Sequence, residues 1–263
     1  MDLGLTGRTA LVLGAGSGLG AAIARSLALE GAQVALAGRT PAKLDQTRAA
    51  IEAEVPGARL LVLPWDLGDL SVIEARVTAI EQALGPVDIL VNNTGGPPPT
   101  TAAGQAPELW AQQFQAMVMS VIAITDRVLP GMRQRRFGRI LTSTSSGVVA
   151  PIANLGLSNA LRSTLVAWSK TLAREVAAEG ITANIVVPGR IATERLQFLD
   201  TQKAARTGRA VEDVTAESVA SIPAGRIGEP QEYGDVVTFL ASARASYVTG
   251  SVVRVDGGMI TSL

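Results

Sequence analysis

The chain of 263 residues contains neither cysteine nor histidine. Without cysteine it can form no disulfide bond, and without histidine it lacks the commonest side-chain ligand of transition metals. Because carboxylates alone rarely form a zinc site, we expect no metal centre. The same absence removes the most frequent general base of enzymes, and with it any catalytic triad built on histidine.

Aromatic residues are scarce, and the charges are balanced. Only 3% of the residues are aromatic, and 23 basic residues offset 23 acidic ones. A net charge of zero argues against nucleic acid or an anionic membrane as the main partner. No apolar run approaches the length of a membrane span, and the segment MDLGLTGRTALVLG lacks the features of a signal peptide. We therefore expect a cytoplasmic protein.

Apolar residues still make up 47% of the chain, which is enough for one substantial core. Short runs that are apolar nearly throughout alternate with longer amphipathic stretches, a pattern typical of a parallel sheet with helices on both faces. The sequence therefore predicts a single α/β domain with seven strands at 9–14, 33–38, 59–64, 87–92, 138–143, 181–187 and 251–256. The segment 190–228 is polar and irregular, and we expect mobile helices or a lid there.

Three glycines, Gly14, Gly18 and Gly20, separate the first predicted strand from an Ala-rich helix in LGAGSGLGAAIA. Glycine permits positive φ and close approach of backbone N–H groups, and a helix start carries partial positive charge, so a pyrophosphate could lie there. The spacing is G-x-x-x-G-x-G rather than G-x-G-x-x-G, so the place between strand and helix carries the argument. The alternative is a tight turn that binds no ligand.

The second predicted strand ends in VALAGRT, where an acidic residue would accept hydrogen bonds from the adenosine ribose of NAD. Gly38 occupies that place, and Arg39 follows it. A guanidinium binds a 2′-phosphate through paired, charge-assisted hydrogen bonds, so the sequence favours NADP(H) over NAD(H). The alternative for Arg39 is a solvated side chain at a strand end.

Further motifs follow the glycine loop in order along the chain. They are WDLGD at 65–69, VNNTG at 91–95, VPGRIATERL at 187–196, RIGEP at 226–230 and YVTGSVVRVDGG at 247–258. The ordered set resembles the short-chain dehydrogenase/reductase family over essentially the whole chain, and its β-ketoacyl-acyl-carrier-protein reductases in particular. The resemblance implies a Rossmann-type domain, hydride transfer between a nicotinamide cofactor and a carbonyl or alcohol, and a homotetramer.

The resemblance also implies a set of cofactor-binding residues. The glycine loop would line the pyrophosphate, Arg39 the adenosine side, WDL the adenine, NNTG the ribose, and PGRIAT the nicotinamide end. The residues implied are Gly14, Ser17, Gly18, Leu19, Gly20, Arg39, Asp66, Leu67, Asn93, Gly95, Pro188, Ile191 and Thr193. The alternative for Asp66 and Asn93 is an ordinary turn.

The resemblance fails at the catalytic residues. The family places a serine in the fifth strand, a tyrosine thirteen residues later and a lysine four beyond that. In GRILTSTSSG the serine is Ser145, so these counts fall on Ser158 and Arg162 in GLSNALRS, and the family's helical asparagine falls near Met117. Ser145, Ser158 and Arg162 are the candidate catalytic residues. The alternative for the last two is a helix cap and a solvated neighbour on the same helix face.

No residue stands out as the missing proton donor. The two tyrosines, Tyr233 and Tyr247, are predicted to lie far from the site. Serine is a poor proton donor, and arginine keeps its proton at ordinary pH, although it can stabilise an oxyanion. Because a positioned acid contributes roughly 10²–10⁴ in rate, its absence weakens hydride transfer without forbidding it.

Three functions remain open from the sequence. The first is an NADP(H)-dependent reductase or dehydrogenase in which Ser145 and Arg162 polarise a small carbonyl or acyl substrate and water supplies the proton. The second is a non-catalytic relative that binds NADP(H) as a sensor. The third is a structural partner subunit without nucleotide, which the intact glycine loop disfavours.

The helix expected at 157–179 carries more apolar residues than packing on the sheet requires. We therefore predict that it forms the interface of a homotetramer together with the helices at 107–134. The residues that motivate this are Leu157, Leu161, Leu165, Trp168 and Leu172.

Overall fold

The computed structural model describes residues 1–262 of the chain, and a seven-stranded parallel sheet forms its centre. The strands are β1 (Thr9–Leu13), β2 (Gln33–Gly38), β3 (Leu60–Pro64), β4 (Val87–Asn92), β5 (Gly138–Ser143), β6 (Ile181–Pro188) and β7 (Val252–Val255). They pair in the order β3-β2-β1-β4-β5-β6-β7, so the winding direction reverses between β1 and β4. The predicted fold class and all seven strands are confirmed, with every bound within one residue.

Helices cover both faces of the sheet. They are α1 (Gly18–Leu29), α2 (Pro41–Glu54), α3 (Ile73–Leu84), α4 (Pro107–Phe114), α5 (Ser120–Arg135), α6 (Gly156–Val176), α7 (Glu194–Thr207), α8 (Val211–Ala220) and α9 (Pro230–Ala241). A π-helical turn, Gln115–Met119, joins α4 to α5. Among the helices of residues 1–262, none has the length and apolar character needed to cross a membrane.

Successive residues of each inner strand enter two different apolar clusters. In β1, Ala10 and Val12 belong to the cluster beneath α1 and α9, whereas Leu11 and Leu13 belong to the cluster beneath α3, α5 and α6. All four side chains are fully buried. Side chains of a strand alternate between faces, so a strand covered on both faces must be apolar at every position. This is why the strands read as continuous apolar runs.

The leucines of α6 are buried by the chain's own helices. Four of the five apolar residues that motivated a subunit interface are at most 7% exposed: Leu157, Leu161, Leu165 and Leu172. The first three form a third cluster with Met117, Val118 and Val121 from the π turn and α5. Burial within one chain therefore accounts for these leucines, and they need no second subunit to cover them. The homotetramer itself stays a prediction.

Two helices occupy most of the polar segment 190–228. The buried carboxylate of Asp200 on α7 accepts hydrogen bonds from Arg190, which precedes the helix, and from the Thr215 hydroxyl of α8 at 3.3 Å. The Asp200 carboxylate thus links α7 to α8 and to the residues that precede α7. That it contains helices agrees with expectation, and its mobility stays a prediction.

Tyr233 of α9 lies against the end of β5, so the expectation that it lies far from the site is wrong. Its side chain is fully buried, and its hydroxyl is 2.8 Å from Ser143 Oγ and 3.1 Å from the Val186 carbonyl oxygen. Burial raises the pKa of this phenol above its usual value. Ser143 stands two residues before Ser145, so the hydroxyl fixes α9 to the strand ends that carry the site.

Replacing Tyr233 by Phe should lower the free energy of unfolding by about 1–3 kcal/mol, because Ser143 Oγ then loses its partner in a buried setting. Urea unfolding at equilibrium measures this. Tyr247→Phe is the control, since Tyr247 is fully exposed and its loss should change stability by less than about 0.5 kcal/mol. Equal midpoints for the two variants would show that the buried hydroxyl contributes nothing.

Candidate functional site

The sequence-predicted site residues meet along the carboxyl edge of the sheet. Gly14 follows β1, Asn93 follows β4, Ser145 follows β5, and Pro188 ends β6. The sheet reverses its winding between β1 and β4. In open α/β sheets, ligands bind in the crevice at this reversal, outside the carboxyl ends of the strands.

The glycine loop is packed so tightly that two of its glycines leave no room for a side chain. A Cβ on Gly20 would lie 2.1 Å from the Gly14 carbonyl oxygen, and a Cβ on Gly14 would lie 2.6 Å from the Asn93 carbonyl oxygen. Gly14 and Gly18 also have positive φ, +64° and +53°. Asn93 Nδ2 donates to the Leu13 carbonyl oxygen at 3.2 Å, which links β1 to the segment after β4.

The N-terminus of α1 forms one wall of the cleft. Ser17 precedes the helix in extended conformation, and its side chain makes no capping hydrogen bond. No side chain therefore competes for the first-turn N–H groups, which can bind an anion. A Cβ on Gly18 would lie 3.3 Å from Thr193 Cγ2, so the residue before α7 packs directly beside the start of α1. Leu19 packs against the cluster beneath α1.

At the end of β2, Arg39 is exposed and free of any salt bridge within residues 1–262, while the nearby Asp45 pairs with Arg48. A second cation near this strand end, Lys43, was not predicted from the motifs. Its Cβ is 3.2 Å from where a Cβ on Gly16 would lie, and its ammonium pairs with Glu194 at 2.6 Å. The sequence did contain a sign of it, because Lys43 is a second cation close to Arg39, in the first turn of α2.

The residues after β3 make contacts typical of a turn. The Asp66 carboxylate accepts a hydrogen bond from Gly68 N at 3.0 Å, and Leu67 packs against the cluster beneath α3. The neighbouring Trp65 is buried, and its Nε1 has no hydrogen-bond partner. The turn interpretation thus accounts for what Asp66 does in this structure, and its contact with adenine stays a prediction.

Three motifs that are distant in sequence build the far end of the cleft. Pro188 ends β6, and a Cβ on Gly189 would lie 2.5 Å from the Asp256 Cα of VDGG. Ile191 forms a bridge with Gly228 of RIGEP, and Ala192 N donates to the Gly228 carbonyl oxygen at 2.9 Å. These contacts bring PGRIAT, RIGEP and VDGG together at this end of the cleft.

Ser158 and Arg162 lie one turn apart on α6 and are both buried, at 6% and 8% exposure. Arg162 Nε donates to Ser158 Oγ at 3.3 Å. The residue in the capping position of α6 is Leu155, not Ser158. The interpretation of this pair as a helix cap and a solvated neighbour is therefore wrong.

The Arg162 guanidinium is held by backbone carbonyl oxygens at the ends of two strands. Nη1 donates to Ser143 at 3.4 Å, and Nη2 donates to Thr94 at 3.3 Å and to Gly95 at 3.4 Å. Burial first, and then the charge of Arg195, lower the pKa of Arg162 to about 10. The group is still a cation at neutral pH and can stabilise negative charge on a nearby oxygen.

Ser145 and Met117 complete the candidate site. Ser145 Oγ accepts a hydrogen bond from Gly147 N at 3.1 Å, and no hydrogen bond within residues 1–262 joins it to Ser158 or Arg162. Met117 lies in the π turn, is 2% exposed and packs against α6. The structure thus brings Ser158 and Arg162 into contact, places Ser145 separately on the same edge, and packs the apolar Met117 side chain against α6.

Known proteins resemble the chain over nearly its whole length. A family model described as enoyl-(acyl carrier protein) reductase matches residues 14–260. Over 255 residues, the chain is 36% identical to the 3-oxoacyl-(acyl-carrier-protein) reductase FabG of Escherichia coli strain K12. The alignment covers 96% of this chain and 97% of that protein.

Solved structures of reductases share the fold. The structure of L-sorbose reductase from Gluconobacter frateurii, complexed with NADPH and L-sorbose, matches with a TM-score of 0.93 and 31% identity over 100% of both chains. A variant of actinorhodin polyketide ketoreductase with NADPH matches with a TM-score of 0.91 and 32% identity, over 96% of this chain and 97% of that one. The chain belongs to the short-chain dehydrogenase/reductase family.

Proposed function

We propose that the protein is an NADP(H)-dependent oxidoreductase, similar to 3-oxoacyl-(acyl-carrier-protein) reductases, that transfers a hydride between the cofactor and a carbonyl or alcohol. The observation that carries this is the buried Arg162 guanidinium at the carboxyl ends of β4 and β5. Reductase names among the relatives, and the NADPH in related structures, support the reaction and the cofactor.

The residues present fit a dinucleotide. The loop places glycines where side chains would collide, and the first turn of α1 has no side-chain cap. When bound, the cofactor supplies or accepts the hydride. Arg39 would bind its 2′-phosphate. The remaining contacts would come from Gly14, Ser17, Gly18, Leu19, Gly20, Asp66, Leu67, Asn93, Gly95, Pro188, Ile191 and Thr193.

Arg162 takes the role of stabilising charge on the substrate oxygen. Hydride transfer to a carbonyl carbon leaves negative charge on the oxygen, and a cation poised in a buried site stabilises that charge without reorganising. Ser158 holds Nε of the guanidinium, and Ser145 would orient the oxygen from β5. Arginine keeps its own proton, so water supplies the proton, and turnover is slow compared with an enzyme that has a phenol in place.

We also propose that the protein works in the cytoplasm as a homotetramer on a small carbonyl or acyl compound, without nucleic acid or membrane partners. The balanced charge supports the last part. The segment 190–228 would act as a mobile region over the substrate, because the first turn of α7 borders the cleft at Thr193.

Light scattering at micromolar concentration should give the mass of four chains, since the family resemblance implies a tetramer and most soluble oligomers are closed symmetric assemblies. A monomer mass at that concentration would contradict the tetramer. The reductase proposal does not depend on this result.

The protein should bind NADPH more tightly than NADH. Arg39→Ala should weaken NADPH about 10- to 100-fold, as expected for loss of a charge-assisted pair, and leave NADH unchanged. Fluorescence titration measures both constants, with NADH as the internal control because it lacks the 2′-phosphate. Arg39→Asp should reverse the preference. Equal affinities in the unmutated protein would refute it.

The double change Ser158→Tyr plus Arg162→Lys should raise turnover of ketones and 3-oxoacyl thioesters by about 10²- to 10⁴-fold, because it restores a positioned acid. NADPH affinity should change little. NADPH oxidation measures the rate.

Ser163→Tyr plus Arg174→Lys is the control for that double change, since both positions are exposed on the same helix. Brisk turnover by the unmutated protein would show that another group supplies the proton. NADPH binding without turnover in either form would instead favour the non-catalytic relative.

A further inference from the structure

A second arginine, Arg195, lies over the segment that follows β4. It belongs to the first turn of α7. Its Nη2 donates to the Pro97 carbonyl oxygen at 2.7 Å and lies 3.0 Å from where a Cβ on Gly96 would be. Its guanidinium carbon is 5.3 Å from the centre of the Phe198 ring. The side chain is therefore held in place at the edge of the cleft.

Arg162 and Arg195 converge on the same three residues, 95–97. Arg162, on α6, donates to the Gly95 carbonyl oxygen, and Arg195, on α7, donates to the Pro97 carbonyl oxygen. Burial lowers the pKa of Arg195, and the charge of Arg195 lowers that of Arg162. Two partly desolvated like charges in one region destabilise the protein unless an anion joins them.

No acidic side chain of residues 1–262 supplies that anion. The two acidic residues of α7 nearest to Arg195 are engaged elsewhere: Glu194 pairs with Lys43, and Asp200 pairs with Arg190. Neither Arg162 nor Arg195 forms a salt bridge within the described residues. Thr94, whose carbonyl oxygen binds Arg162, is 8% exposed and its hydroxyl has no hydrogen-bond partner. The site therefore holds two hydrogen-bonded guanidinium charges without a carboxylate partner, and one buried hydroxyl without a hydrogen-bond partner.

We propose that the substrate is a short oxo acid, with Arg195 binding its carboxylate and Arg162 facing its carbonyl oxygen. The inference rests on the proposed function, because it assigns the carbonyl oxygen to Arg162. Arginine suits a carboxylate, since its planar N–H groups match the two oxygens. The part-exposed position of Arg195 at the start of α7 leaves it accessible to a substrate entering the cleft. The pyrophosphate of the cofactor is a second possible source of the same anion chemistry, and the test separates the two.

The test compares acetoacetate with methyl acetoacetate, which share the ketone and differ in the negative charge. Each is titrated calorimetrically into the protein saturated with NADP⁺, where reduction cannot occur, and each is assayed separately with NADPH. We expect acetoacetate to bind at least about 10-fold more tightly than the ester, as a charge-assisted pair predicts. Arg195→Gln should remove that difference, and Arg195→Lys should keep part of it.

Arg206→Gln is the matched control, because Arg206 is exposed in the last turn of the same helix and should leave the preference intact. Equal binding of acid and ester would overturn the inference. Weaker NADP⁺ binding by Arg195→Gln, with the acid-to-ester ratio unchanged, would assign the anion to the cofactor and also overturn it. Selective binding of the acid without turnover would support the inference and refute the proposed activity, whereas turnover of both compounds at equal efficiency would do the reverse.

Discussion

The candidate site depends on the hydrogen bonds that hold the buried Arg162 guanidinium against carbonyl oxygens at the ends of β4 and β5. Burying an unpaired cation costs several kcal/mol, a large part of the 5–15 kcal/mol by which a domain is stable. The dipoles of the Ser143, Thr94 and Gly95 carbonyl groups offset part of that cost, although the three hydrogen bonds are long, at 3.3–3.4 Å. In the proposed reaction the delocalised charge of Arg162 would stabilise a developing oxyanion and would not transfer a proton.

The fold could be predicted because parallel strands buried on both faces must be apolar at every position. The glycines between β1 and α1 also mark the end of the first strand. Counting along the motifs singled out Ser158 and Arg162, which the structure brings into contact, while their catalytic role stays a prediction. Tyr233 could not be placed in this way, because its contact with Ser143 joins residues 90 apart. That contact depends on how α9 crosses the sheet, which leaves no local pattern.

The α6 leucines show a different limit of sequence analysis. Their number correctly indicated a second apolar face on the helix, but composition cannot say whether that face meets another subunit or another part of the same chain. The π turn and α5 cover it. Arg195 illustrates the same limit on the polar side, since a charged residue on a polar helix gives no sign that it lies against the loop after β4.

The apolar packing of Met117 has a consequence for how protons travel. With Leu157 and Leu161 it lines the inner side of the start of α6, and these buried side chains offer no hydrogen-bonding groups to a chain of water molecules. In the proposed reaction, a proton drawn from solvent would therefore not pass along these three side chains. It would reach the substrate oxygen from the polar side of α6, where the Ser158 and Thr94 hydroxyls lie, so the hydration of that side would govern how readily the alcohol forms.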